Sequence, residues 1–230
     1  SPNACGKVGH HAHRTLPPRV LKPTTLRNAQ RSEAINRNPH FEVVVDQELS
    51  VQLIESLASG IKSHQVIDIL SLMNLTWPDD DTEKSVDEKV AGFYEDHSEK
   101  ICYCLYQDKE LIGYAGAIPL TIKIENKCVE VLGLGGLNVH PNWRRQGFGR
   151  VILEAVFKRI DASEYPYCLF QTGIPHFYEK LGCRVIENKF INSNDQADPS
   201  RNPFWDEYTM IYPATAHWPL GTVDLLRKGF

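Results

Sequence analysis

The chain has 230 residues, 42% of them hydrophobic, and a net charge of −4. That is enough apolar material for a packed core in one large domain or two small ones. The slightly acidic balance gives no global footprint for nucleic acid, and no apolar run reaches the roughly 18 residues of a membrane-spanning helix.

The charge is unevenly spread. Residues 1–40 carry Lys7, Arg14, Arg19, Lys22, Arg27, Arg31 and Arg37 against one acid, Glu33, and show no apolar period. They read as a flexible basic arm, and residues 41–230 as one folded domain. "GHHAH" (Gly9 to His13) holds metal-ligating residue types but reads as a solvated tail. An Arg-rich, acid-poor arm also has the composition of a trimmed organelle-targeting segment. The six cysteines form no CxxC pair, so no metal site is expected. They read as buried or half-buried thiols of a reducing compartment, which predicts a cytoplasmic protein, or an organellar one if the arm is such a remnant.

The elements follow in chain order. "FEVVVDQ" (Phe41 to Gln47) predicts a first strand. Val51, Ile54, Leu57 and Ile61, then Val66, Ile69, Leu70 and Met73, have helical spacing and predict two helices divided near Gly60 and Ser63. A Pro-Asp loop and a charged, weakly amphipathic segment follow. Ile101–Tyr106, Leu111–Ile118 and Cys128–Val139 predict an antiparallel meander of three strands. Residues 144–165 predict a helix with Val151, Ile152, Ala155, Val156 and Ile160 on one stripe. "YCLFQT" predicts a short strand, "IPHFYEKLG" a short helix closed by Gly182, and "CRVIENKFI" and "FWDEYTMIY" two more strands. The succession predicts an α/β (α+β) domain: a mixed central sheet of about seven strands with flanking helices.

The chemistry concentrates in "HPNWRRQGFGR", His140 to Arg150. A strand ends, a glycine-containing loop follows and a helix begins. The first amides of a helix lack internal partners, and its dipole adds partial positive charge there. Gly147 and Gly149 let an oxygen approach the backbone, and Arg144 and Arg145 add full charge. This predicts a phosphate cradle, most naturally for a diphosphate. "GLGG" (Gly133 to Gly136) lacks the third glycine and the helix of a dinucleotide fingerprint, so it predicts a strand bulge where a ligand backbone approaches.

"LNVHPNWRRQGFGRVIL" resembles the acyl-coenzyme A motif of the GCN5-related N-acetyltransferase (GNAT) superfamily, in which Arg/Gln-x-x-Gly-x-Gly/Ala opens a helix. "FYEKLGC" resembles that family's next motif, with Tyr178 and Gly182 in place. The likeness runs over roughly residues 41–212. The C-terminal "WPLGT" is similar to the tail of nodulation-factor N-acyltransferases, and "NWRRQ" with a late Trp-Gly tail to aminoglycoside 2′-N-acetyltransferases; both groups acylate amino sugars.

The resemblance implies a GNAT-like fold and direct acetyl transfer from acetyl-CoA to a primary amine, without a metal. Leu137, Asn138 and Val139 would pair with the pantetheine arm, with an amide near Leu137 polarising the thioester carbonyl. Arg144, Arg145, Gln146, Gly147, Phe148, Gly149 and Arg150 would hold the pyrophosphate. Tyr178 would be the general acid. For the base, Glu130 is the nearest strand acid, since no acid lies between Leu132 and Asn138; His140, a water relay and the carboxylate of Phe230 are alternatives. "PDDD" (Pro78 to Asp81), "DHSE" (Asp96 to Glu99) and "WDE" (Trp205 to Glu207) are candidate acidic walls, and Trp77, Trp205 and Trp218 candidate stacking surfaces. The expected acceptor is a small-molecule amine, an amino sugar or aminoglycoside-like compound. Nucleic acid and membrane are not expected partners, and a homodimer is compatible with the reading. A protein or peptide N-acetyltransferase and a catalytically silent acyl-CoA sensor are the competing readings.

Overall fold

The computed structural model describes residues 19–21, 51–78, 84–95, 99–125 and 127–230. Strand β1 (Arg19–Leu21) pairs antiparallel with β2 (Val51–Leu57), so at least these three residues of the basic segment join the sheet. Helices α1 (Ser63–Asn74) and α2 (Val86–Glu95) follow. Then come β3 (Ile101–Gln107), β4 (Glu110–Ile124) and β5 (Lys127–Val139), the antiparallel meander expected from their β-rich runs. Helix α3 (Phe148–Asp161) leads to β6 (Cys168–Thr172), and α4 (Pro175–Glu179) to β7 (Arg184–Ile186). The chain closes with β8 (Phe190–Ile191), β9 (Tyr208–Tyr212) and β10 (Val223–Asp224).

The main path of the sheet runs β1-β2-β3-β4-β5-β6-β9-β7, with β10 joining the far ends of β4 and β8. Pairing is antiparallel except between β5 and β6 and between β8 and β10. The described residues thus hold ten strands rather than about seven. The unexpected strands are β1, β2, one more from the split of "CRVIENKFI" into β7 and β8, and β10 from the tail.

One expectation fails at residues 51–57. These form a strand on β3 in full register, Val51 opposite Gln107 through Leu57 opposite Ile101, not a helix. Leu53 and Ser56 are its buried residues, and Val51 and Leu57 pack beside Leu53 at the period of a strand; the apolar Ile54 between them completes the spacing that suggests a helix. The second predicted helix is present as α1, with Val66, Ile69 and Leu72 inward. "FEVVVDQ", "GHHAH" and the remainder of the basic arm lie outside the described residues.

Period-two alternation in β3 separates two cores. Ile101, Tyr103 and Leu105 face α3 and pack with Ile152, Leu153 and Val156. Cys102 and Cys104 point the other way, into the layer of α1 and α2 with Val66, Ile69 and Phe93. Ile152, Leu153 and Val156 are fully buried, each worth about 1.5–3 kcal/mol of transfer free energy, so α3 is anchored by its stripe. A third cluster around Ile122, Val131, Phe190, Trp218 and Val223 seals the far end of the β4–β5 hairpin. Cys102, Cys104, Cys168 and Cys183 are buried free thiols, but Cys128 is exposed and disulfide-bonded, against the expectation of buried or half-buried thiols. Among the described residues no helix is long and apolar enough to cross a membrane, and no group of three or more metal-ligating side chains gathers.

Candidate active site

The sheet opens where β5 and β6 part. Their parallel ladder has two residue pairs, Leu132 with Cys168 and Gly133 with Leu169. Beyond it, the register of β5 against β4 shifts between Tyr114 and Gly116, and Gly136 takes φ +64. A left-handed residue at a bulge is where glycine is least costly. The diverging segments, 134–139 and 170–174, line a cavity of about 1050 Å³.

At one end of the cavity lies the glycine loop. Gly147 is the N-cap of α3 with φ +86, and a Cβ there would meet nothing within 4 Å. The first intrahelical bond, Val151 N to Gly147 O at 3.1 Å, comes after the amides of Phe148, Gly149 and Arg150. Those amides lie at the positive end of a 14-residue helix, and all three residues line the cavity. Arg145, at φ 65, adds a second left-handed turn to the same loop. Donors, charge and room suit a diphosphate.

Arg144 is held by side-chain hydrogen bonds. Its Nε donates to Val139 O at 2.9 Å, and its Nη2 to Thr76 Oγ1 at 2.7 Å. Thr76 Oγ1 in turn donates to Asn138 Oδ1 at 2.8 Å, and Asn138 Nδ2 to Leu72 O at 2.6 Å. Arg144 therefore ties the glycine loop to the end of α1 while also lining the cavity.

Tyr178, on α4, reaches the cavity from below the splay. Its ring packs against Phe170 and Phe177, with centroids 4.6 and 5.0 Å away. Burial, the largest influence, pushes the phenol pKa well above its ordinary value; a hydrogen bond with Thr172 pulls it down, and Cys183, Cys168 and Asp206 push it up further. The hydroxyl thus keeps its proton and stays a donor. Met73, Trp77, Trp205, Asp206 and Phe230 also line the cavity. Trp77 and Trp205 are largely exposed at the rim.

Residues 59–186 match the family model for the acetyltransferase (GNAT) domain. The chain belongs to the GNAT acetyltransferase family. Its fold is like that of the GNAT N-acetyltransferase YhbS from Escherichia coli, solved in complex with CoA: 16% identity, 83% of this chain and 93% of that one covered, TM-score 0.54. A GCN5-related N-acetyltransferase from Kribbella flavida (17% identity, TM-score 0.47) and a probable N-acyltransferase from Enterococcus faecalis (14%, 0.48) match 59% of this chain. The match spans about a third of the length of those two proteins. No curated protein sequence matches.

Within this GNAT domain, the structure brings Leu137, Asn138, Val139, Arg144, Arg145, Gly147, Phe148, Gly149, Arg150 and Tyr178 to one cavity. Gln146 is not on its wall; its Nε2 donates to Asn142 O at 3.3 Å. Glu130 is not there either. It is exposed near the hairpin end of β5, opposite Thr121, and the bulge at Gly136 comes too late in the strand to turn it inward. His140 caps the short turn Pro141–Trp143, its Nδ1 accepting from Asn142 N at 3.3 Å. Gly133 and Gly135 make room for Phe230 rather than for a ligand: a Cβ on Gly133 would sit 2.7 Å from the Phe230 ring, and one on Gly135 3.2 Å from its carbonyl carbon.

Of the candidate acidic walls, Trp205 and Asp206 line the cavity and Glu207 does not. Asp79–Asp81 and residues 96–98 lie outside the described residues. Trp218 is buried in the far core, its Nε1 donating to Asn188 Oδ1 at 2.8 Å, so it presents no stacking surface. Sequence reasoning missed Gln171 and Thr76. A glutamine inside the apolar run "YCLFQT" was the available signal for the first; nothing local marks the second.

Proposed function

We propose that this GNAT protein is an acetyl-CoA-dependent N-acetyltransferase acting on the primary amine of a small molecule. The observation that carries the reading is the continuity of the cavity: one space joins the glycine loop at the start of α3 to a buried phenol and an aromatic rim. The amides of Phe148, Gly149 and Arg150 take the diphosphate. The free edge of β5 from Leu134 to Val139 accepts the pantetheine arm as an added strand, with one limit. Val139 O already receives Arg144 Nε, so that carbonyl is a weaker partner than its neighbours. An amide near Leu137 faces the thioester carbonyl, where it stabilises the developing oxyanion.

Tyr178 supplies the proton for the departing thiolate; its burial keeps it neutral until that moment. Holding both partners in one cavity replaces an encounter in solution with an oriented one, the larger part of the rate gain. Two rim tryptophans and one carboxylate suit an amine on a ring-bearing body, an amino sugar or aminoglycoside-like compound, in keeping with the tail resemblance.

The test is thiol release from acetyl-CoA against aminoglycosides, glucosamine oligomers, polyamines and basic peptides, with acetyl-CoA affinity read by calorimetry. Gly147→Glu puts a carboxylate over the helix start. It should abolish acetyl-CoA binding while the circular dichroism spectrum is retained; unchanged affinity would refute the cradle.

A further inference from the structure

Glu130 is exposed on the far hairpin and His140 caps the turn at 141–143; of the other candidates named above, Phe230 lines the cavity with its O already accepting from Gln171 Nε2. Asp206 is the one carboxylate side chain among the described residues that line it. The arginines Arg144, Arg145 and Arg150 stand at the donor end of the same cavity. Asp206 is on the acceptor side, on the loop before β9, next to Trp205. Asp206 and Tyr178 both line this cavity.

Asp206 is not left to chance on that loop. Gln171, half-buried in β6 at the splay, accepts with Oε1 from Trp205 N at 2.8 Å and from Asp206 N at 2.9 Å. Its Nε2 donates to Phe230 O at 3.0 Å. One side chain thus fixes three acceptor-side residues that come from two distant parts of the chain. A rigid strand holds them, which is what a precise site requires.

We infer that Asp206 binds the acceptor's ammonium group and takes its proton, and that Gln171 is the positioning residue that presents Asp206 to the cavity. The inference rests on the acetyl-transfer reading above. The proton balance is complete. The ammonium gives one proton to the Asp206 carboxylate, directly or through water, and Asp206 passes it to solvent. The freed nitrogen lone pair attacks the thioester carbon, forming the C–N bond. The C–S bond breaks as the intermediate collapses, and the thiolate takes the Tyr178 proton. The second proton of the new amide nitrogen returns to the Tyr178 oxygen. The products are the N-acetylated amine, free CoA thiol and one proton in solution.

The experiment compares wild type with Asp206→Asn, Gln171→Leu and Gln171→Glu. Glucosamine, kanamycin, tyramine and spermidine serve as acceptors, and acetyl-CoA affinity is measured for each protein. Asp206→Asn should lose on the order of 100-fold or more in kcat/KM for the acceptor, with acetyl-CoA affinity within about twofold. Gln171→Leu should raise the acceptor KM about tenfold with a smaller change in kcat. Gln171→Glu keeps an oxygen for the two loop amides but gives up the donor to Phe230 O, so it should recover only the part of that loss that comes from Asp206. A purely structural role for Gln171 would instead shift the thermal midpoint and affect both substrates alike. Wild-type kcat/KM in Asp206→Asn overturns the inference. So does a wild type that binds acetyl-CoA and acetylates no amine of the panel, while the donor cradle then stands. A wild type that does not bind acetyl-CoA overturns the acetyl-transfer reading itself.

Discussion

Tyr178 shows how one residue's surroundings set its chemistry. A phenol in water ionises near pH 10. Here burial raises that value, and Cys183, Cys168 and Asp206 add to the rise, against a smaller opposing pull from Thr172. A raised pKa in an acid means the proton is held longer as pH climbs. Tyr178 is therefore protonated throughout the neutral and moderately alkaline range. The kcat profile should show no alkaline fall from this group below about pH 10. A break near pH 9 that vanishes in Tyr178→Phe would contradict the assignment. Tyr178→Phe itself should lower kcat by about 100-fold or more, with acetyl-CoA affinity unchanged in calorimetry. The position of Tyr178 was readable from "FYEKLGC" because its motif is local. Asp206 was readable only as part of an acidic triplet. Its partner Gln171 lies 35 residues away, and no pattern in a single sequence joins them.

At the scale of elements, β2 is the instructive case. Val51, Leu53 and Leu57 face the α3 core in strand alternation, but Ile54 between them is apolar too, and such a short run suits either element. Its identity is fixed by pairing with β3 and by one ion pair. Arg159 of α3 reaches across to Glu55 of β2, donates to Tyr103 Oη at 2.9 Å, and meets Glu164 at 2.5 Å. The Arg159 and Glu55 side chains are 10% and 13% exposed. Removing one partner of such a buried pair leaves the other charge stranded. Arg159→Met should cost about 3–5 kcal/mol in urea unfolding, and Arg159→Met with Glu55→Leu should recover part of it. The meander and α3 were legible because their periods are clean and their partners are close in sequence. The β7–β8 split and β10 were not, since strands of two or three residues carry too little pattern to detect.

Across the whole molecule, the network around Arg144 connects two layers. Thr76 follows α1, on one face of the sheet, and Arg144 opens the loop that leads to α3, on the other. Asn138, buried in β5 between them, holds Leu72 O. Arg144 and Arg145 are neighbours in the motif and look equivalent in the sequence, yet the fold separates them. Arg144→Met should lower both stability, by about 1–2 kcal/mol for lost charged hydrogen bonds, and acetyl-CoA affinity. Arg145→Met should lower affinity alone. Equal loss of stability in the two variants would refute this division.

The two-pair ladder between β5 and β6 gives the molecule a seam. Among the described residues, the glycine loop and the start of α3 come before the strand β6 in the chain, and Gln171, Trp205, Asp206 and Phe230 lie in β6 or after it. A ligand laid along the open edge of β5 completes a sheet that the polypeptide alone leaves divided. Under the proposed function, the acyl donor is thus a removable piece of the architecture. Its concentration would set how tightly the halves are held, adding about 2.7 kcal/mol at a hundredfold excess over Kd. The protein's resistance to unfolding would then rise and fall with the cell's supply of activated acyl groups.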